Sequence, residues 1–183
     1  DSSIKTVLDN WYKTNIEDEG FSEFIADSGF CNDRSIYTGE GVNNTLSTNF
    51  NGHKRYLNHT PSLICPQQND LFTVENPDGN QDLTYPIGLI TVDELMLGGL
   101  SDGYLNRLSY TYSSSTYWSM TPSQFSATNM TALEYTVSEL GYAYNYSWVP
   151  WTYGVRPVIN LASTVEISEG IGTQNDPFVI KTV

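Results

Sequence analysis

Few side chains in this sequence stand where chemistry would need them. His53 and His59 are six residues apart in a polar stretch with no cysteine beside them, so they form no metal-ligand motif and read as surface histidines. Asn76, Asp78, Asn80 and Asp82 place oxygens at alternate positions, as a calcium loop does, but no glutamate stands at the twelfth position. No cofactor is expected; a structural calcium ion at this loop is the alternative. The acidic run Glu17-Asp18-Glu19 reads as a solvated face. No nucleophile elbow, zinc-protease helix motif, phosphate-binding loop or dinucleotide fingerprint occurs, so no catalytic residue and no metal centre are assigned. Arg156, alone in an apolar stretch, reads as a structural charge paired with Asp93 or Glu94.

Cys31 and Cys65 are 34 residues apart, without a CxxC pair or zinc spacing. Two readings stand: two buried thiols, or one disulfide. The disulfide would close a loop worth roughly 3–4 kcal/mol on the chain-entropy argument, and an exported protein favours it.

The aromatic residues are the informative feature. Of 13 tyrosines and 4 tryptophans, 9 and 3 lie between residues 104 and 153. Between Leu108 and Val155 there is no lysine or arginine, and the only acids are Glu134 and Glu139. Each buried phenol needs a hydrogen-bond partner, so an interior cannot absorb so many. Tyrosine with serine, asparagine and tryptophan is the composition of combining sites, where rigid rings give contact area at low entropic cost. The expected contact residues are Tyr110, Tyr112, Ser114, Tyr117, Trp118, Asn129, Tyr135, Tyr142, Tyr144, Asn145, Tyr146, Trp148 and Trp151.

The bulk numbers narrow the partners. A net charge of -13 and a pI near 4.2 oppose nucleic-acid binding, which needs clustered cations. They also oppose a polybasic membrane patch. No apolar run approaches the ~20 residues of a membrane span, so this segment is not expected to insert directly into a membrane. The start at Asp1-Ser2-Ser3 reads as a trimmed piece, secreted or held at the cell surface by an anchor outside this chain.

The elements that must position these residues run from helices to strands. Ile4, Val7, Leu8 and Trp11 fall on one helical face within residues 1–27, capped by Asp1, Ser2 or Ser3. Gly20 breaks that helix, and a short second one is expected to end near Gly29. Residues 39–60 and 66–82 read as long polar loops, the latter with a turn at Asn76-Pro77-Asp78-Gly79. Thr91 and Glu94 form a capping box for a brief helix ending at Gly98-Gly99. Strands come next at 117–121, ending at Pro122, then at 133–137, 142–146, 154–161, 164–167 and 178–180. The pattern predicts an α+β domain.

The block Tyr153-Gly154-Val155-Arg156-Pro157-Val158-Ile159-Asn160-Leu161, with residues 85–97 and 117–123, resembles a large group of uncharacterised surface proteins of Gram-positive anaerobes. Residues 4–13, 30–35 and 172–178 are similar to that group as well, so the likeness spans nearly the whole chain. It implies a C-type lectin-like fold of the formylglycine-generating-enzyme type: two or more short helices packed on a twisted antiparallel sheet with long loops. One domain over 1–183 is implied, with an N-terminal helical annex at 1–35 and the lectin-like motif region at 84–183. The enzymatic branch has a C-terminal cysteine pair, whereas both cysteines here lie in the N-terminal half. The calcium-dependent sugar motifs of the fold are absent. The segment 142–148 also resembles targets of diversity-generating retroelements, in which asparagine codons become tyrosine, serine or alanine. The function expected is a binding module that shows a Tyr/Trp/Ser-rich, diversifiable surface to a protein or glycan. A pilus-like structural subunit and an enzyme of the related fold are the alternatives.

Overall fold

The structure is a computed structural model and describes residues 2–41, 45–101, 104–173 and 175–181. It is an α+β arrangement of short helices and mostly antiparallel strands.

Helix α1 (Ser3–Tyr12) starts at Ser2, whose hydroxyl accepts from the Lys5 amide at 3.1 Å. Of the other candidate caps, Ser3 is the first residue of the helix and Asp1 lies outside the described residues. The buried stripe differs from the expected one. Leu8, Tyr12 and Ile16 are buried, whereas Val7 and Trp11 face solvent. The helix follows an i, i+4 row, and a π-helical turn at Lys13–Glu17 extends it to Ile16. Tyr12 stacks on Tyr85 with centroids 4.9 Å apart, which fixes that choice of row. Gly20 ends the segment at φ +78°, a conformation that costs glycine little. The expected second helix is only a 3-10 turn at Ser22–Phe24, leading into strand β1 (Ile25–Ala26).

Strands β2 (Phe30–Cys31), β3 (Ile36–Thr38) and β4 (Thr48–Phe50) lead into helix α2 (Asn51–Asn58). Residues 39–60 are therefore not one loop. Their composition hides a helix that tertiary contacts hold in place, as short helices require. Gly52 is buried against β6, where a Cβ would lie 2.6 Å from the Thr121 methyl. Tyr56 is buried, and its hydroxyl donates to the Ala143 carbonyl at 2.9 Å. Strand β5 (Leu71–Phe72) pairs with β2, and the disulfide Cys31–Cys65 closes beside it. Helix α3 (Val92–Leu97) carries the expected capping box in full, with Thr91 and Glu94 bonded reciprocally.

Strands β6 (Tyr117–Ser126), β7 (Thr131–Val137) and β8 (Ala143–Trp148) form a meander. They complete a five-stranded sheet in the order β3-β4-β6-β7-β8. Strand β6 does not end at Pro122. It continues to Ser126 because the ladder slips on both sides of Pro122, and a bulge tolerates a residue without an N–H. The stretch 154–161 is not a buried strand. It is tethered at two points, Gly154 to Tyr117 and Val158 to Gly88, and pairs regularly only as β9 (Asn160–Leu161) with β1. Pro157, which has no amide hydrogen to donate, sits between the tethers. The closing strands β10 (Ile167–Glu169) and β11 (Val179–Ile180) pair antiparallel.

Alternation along β6 and β7 separates two cores. Tyr117, Tyr135 and Val137 pack with Tyr56, Val92, Leu95 and Leu100 of the α2 and α3 side. Trp118 packs with Leu8, Tyr12, Ile87 and Leu89 on the α1 side.

Candidate ligand-binding surface

The expected contact residues divide into an interior and an exterior set. Tyr117, Trp118 and Tyr135 are 4%, 5% and 0% exposed, so they are core residues and contact no ligand in this structure. Each phenol finds its partner indoors. The Tyr117 hydroxyl donates to the Thr111 carbonyl, and the Tyr135 hydroxyl lies 2.7 Å from His53 Nδ1. His53 is thus a helix residue satisfying a core tyrosine, not a surface loop histidine. His59 is exposed, at the left-handed C-cap of α2.

The exterior set gathers on β8 and the turn after it. Tyr144, Tyr146 and Trp151 are 36%, 42% and 45% exposed. Tyr142, Asn145 and Trp148 are half-buried beside them. Among the described strands, β8 is an edge of the sheet. Three residues of β8 span the interval that two of β7 cover between the pairs Glu134–Ser147 and Thr136–Tyr144. The resulting bulge re-aims the strand where its tyrosines emerge. Ser147 turns inward, its hydroxyl 2.8 Å from that of Thr136.

Four rings join this edge to the interior. Trp148 stacks on Trp151 at 5.8 Å, Trp151 meets Tyr153 edge-on at 6.1 Å, and Tyr153 meets Trp118 at 5.1 Å. Tyr142 and Tyr144 make a separate edge-on pair at 6.2 Å. These contacts hold Tyr142, Tyr144, Trp148, Trp151 and Tyr153 against neighbouring rings.

Tyr110, Tyr112 and Ser114 lie in the loop that enters β6, with Tyr110 at 68% exposure, Ser114 exposed and Tyr112 half-buried. Asn129 is exposed in the β6–β7 turn, at the far end of the same strand. The fold therefore places Asn129 apart from Tyr110 and its neighbours.

Arg156 does not pair with Asp93 or Glu94. It donates to the carbonyls of Thr111 at 2.9 Å and Tyr110 at 3.2 Å, and lies over the Tyr117 ring. Asp93 is taken by Arg55, whose Nε and Nη2 reach its two oxygens at 2.7 and 2.8 Å. Arg55 also donates to Asp33 at 2.7 Å. These bonds hold its pKa above the ordinary value. Glu94 is committed to the Thr91 cap.

Around the candidate calcium loop, Asn76 Oδ1 and Asn80 Oδ1 accept from the Asp78 and Asp82 amides at 3.0 Å each. They serve as turn acceptors. Asp27 accepts three amides there, from Val74, Glu75 and Asn76. Burial alone would raise its pKa, but the three donors outweigh that and hold it low.

Among the described residues, no group of three or more His, Cys, Asp or Glu side chains is arranged to hold a metal ion. No described helix is long and apolar enough to cross a membrane. Compared with protein-family models, curated proteins and solved structures, the chain gives no match.

Proposed function

We propose that this chain is an extracellular binding module of C-type lectin-like architecture, using the β8 edge to contact a protein or glycan. The observation that carries the reading is the group of rings Tyr144, Tyr146, Trp148 and Trp151 on β8 and the turn after it, Tyr144, Tyr146 and Trp151 exposed, in a stretch of sequence free of lysine and arginine. Such rings suit the apolar faces of sugars and the centres of protein interfaces. The disulfide fits an oxidising compartment, and both cysteines are joined to each other, leaving neither as a thiol for redox chemistry. The architecture draws support from the short helices flanking a twisted meander and from the paired closing strands. The reading is of binding without turnover. It includes diversification of the 142–148 segment, for which a template repeat beside the coding region is the expected sign.

The test is a glycan and protein array probed with the wild-type chain and with Tyr144→Ala/Trp148→Ala. Binding by the wild type that weakens by about 2 kcal/mol or more in the double variant supports the surface. Equal binding by both moves the contact elsewhere. Concentration-dependent self-association without any array signal favours a structural subunit.

A further inference from the structure

The sheet face opposite Tyr135 carries a second, unrelated feature. A cleft of about 620 Å³ opens between α1 and the sheet, walled by Leu8, Phe30, Phe72, Leu89 and Trp118. Among the polar residues of that lining that are not exposed, two have no hydrogen-bond partner for the side chain among the described residues. One is Asn32, whose Oδ1 is buried and has no hydrogen-bond partner among the described residues. The other is Glu134, which alternates with Leu133 and Tyr135 on β7 and so faces away from their core. No hydrogen bond or ion pair reaches its carboxyl among the described residues, and it lines the same cleft. Glu134 keeps some exposure by area, yet protein atoms surround it closely enough that desolvation pushes its pKa up to about 8.

An orphaned acceptor and an unpaired acid in one apolar cleft are costly to keep unless something fills them. The other charged residues lining the cleft do not supply the partner. The Lys5 ammonium is bonded to Asp9 one turn along α1, and Asp82 carries the wrong sign. The missing complement is a donor with positive charge. Aromatic and aliphatic walls select an apolar body behind it, and the Trp118 and Phe rings favour a cation near their faces. A primary ammonium has three donors and no acceptor, which suits a carboxylate and an amide oxygen alike.

We propose that this cleft binds a small organic cation, a primary ammonium on an apolar body, with Asn32 Oδ1 and the Glu134 carboxylate as its acceptors. The cleft adjoins the end of β8, where Val149 lines it and Glu134 pairs with Ser147, but its acceptors are none of the rings assigned above, so the inference does not depend on that function.

Titrating the full chain with hexylammonium, hexanol and hexanoate, read by amide NMR shifts around Asn32 and Glu134, tests the site. At about pH 8, hexylammonium is expected to bind at least roughly tenfold more tightly than hexanol, with hexanoate weakest. Because only the ionised acid pairs with the cation, affinity at about pH 6 falls on the order of fiftyfold. Glu134→Gln matches the shape of the neutral acid, and an unchanged amide spectrum reports its fold. It should abolish both the preference for the amine over the alcohol and the pH dependence. An amine and alcohol that bind alike, a preference that survives Glu134→Gln, or no cleft shifts at millimolar hexylammonium would each overturn the assignment.

Discussion

The rings of β6 and β7 and those of β8 come from one Tyr-rich, charge-poor stretch, yet they do opposite work. Tyr117, Trp118 and Tyr135 lie on strands with neighbours on both sides, under α1 on one face and α2 and α3 on the other. Tyr144 and Tyr146 lie on the edge strand, where no neighbour covers them. Residue type is constant between the two groups; position in the sheet decides whether a ring stabilises the fold or meets solvent. An edge strand with large exposed rings is an aggregation liability that proteins ordinarily blunt. Keeping them is most economical if a partner uses them.

The largest effect that would break this contrast is at Tyr135. Tyr135→Ala should cost about 3–5 kcal/mol in urea unfolding, because it empties a core position and strands the His53 bond. Tyr144→Ala should cost under about 1 kcal/mol in the same assay. Comparable losses at the two sites would show that the β8 rings are structural after all. Next, replacing Cys31 and Cys65 with serine should remove about 3–4 kcal/mol, measured the same way. Array binding by the still-folded fraction should not change, since the bridge lies among β2 and β5, away from the β8 edge.

A smaller effect sharpens the contrast at its boundary, where Glu134 sits beside Tyr135. Its folded pKa, near 8, is above the ordinary 4.5, so the native state holds a proton that the unfolded chain releases. The Glu134 contribution to stability should therefore be complete below about pH 4.5 and be lost progressively as the pH rises toward about 8. Glu134→Gln should flatten that slope and exceed the parent in stability at about pH 8.

Local signals were legible where they carried their own chemistry. The Thr91–Glu94 box, the Gly20 stop, the α+β class and the disulfide reading all have counterparts in the fold. Helix α2 was not legible, because Asn51-Gly52-His53 looks like a loop and its hold comes from Tyr56 and Arg55 reaching distant partners. The pairing of Arg156 with Asp93 fails because Asp93 and Asp33 converge on Arg55 from far along the chain. The division of the aromatic set was invisible for a similar reason. Edge and centre are properties of strand order, which composition does not encode. Glu134 left no trace either: between Leu133 and Tyr135 it reads as the ordinary outward position of an alternating strand, and only the packing of α1 over that face encloses it.

The grip of Arg156 has one further meaning. Its guanidinium holds the Tyr110 backbone oxygen and not the side chain, which is largely exposed with its hydroxyl against Gly98. Such a clasp is blind to the identity of residue 110. The main chain at residue 110 is thus anchored by a bond that does not draw on the side chain standing there.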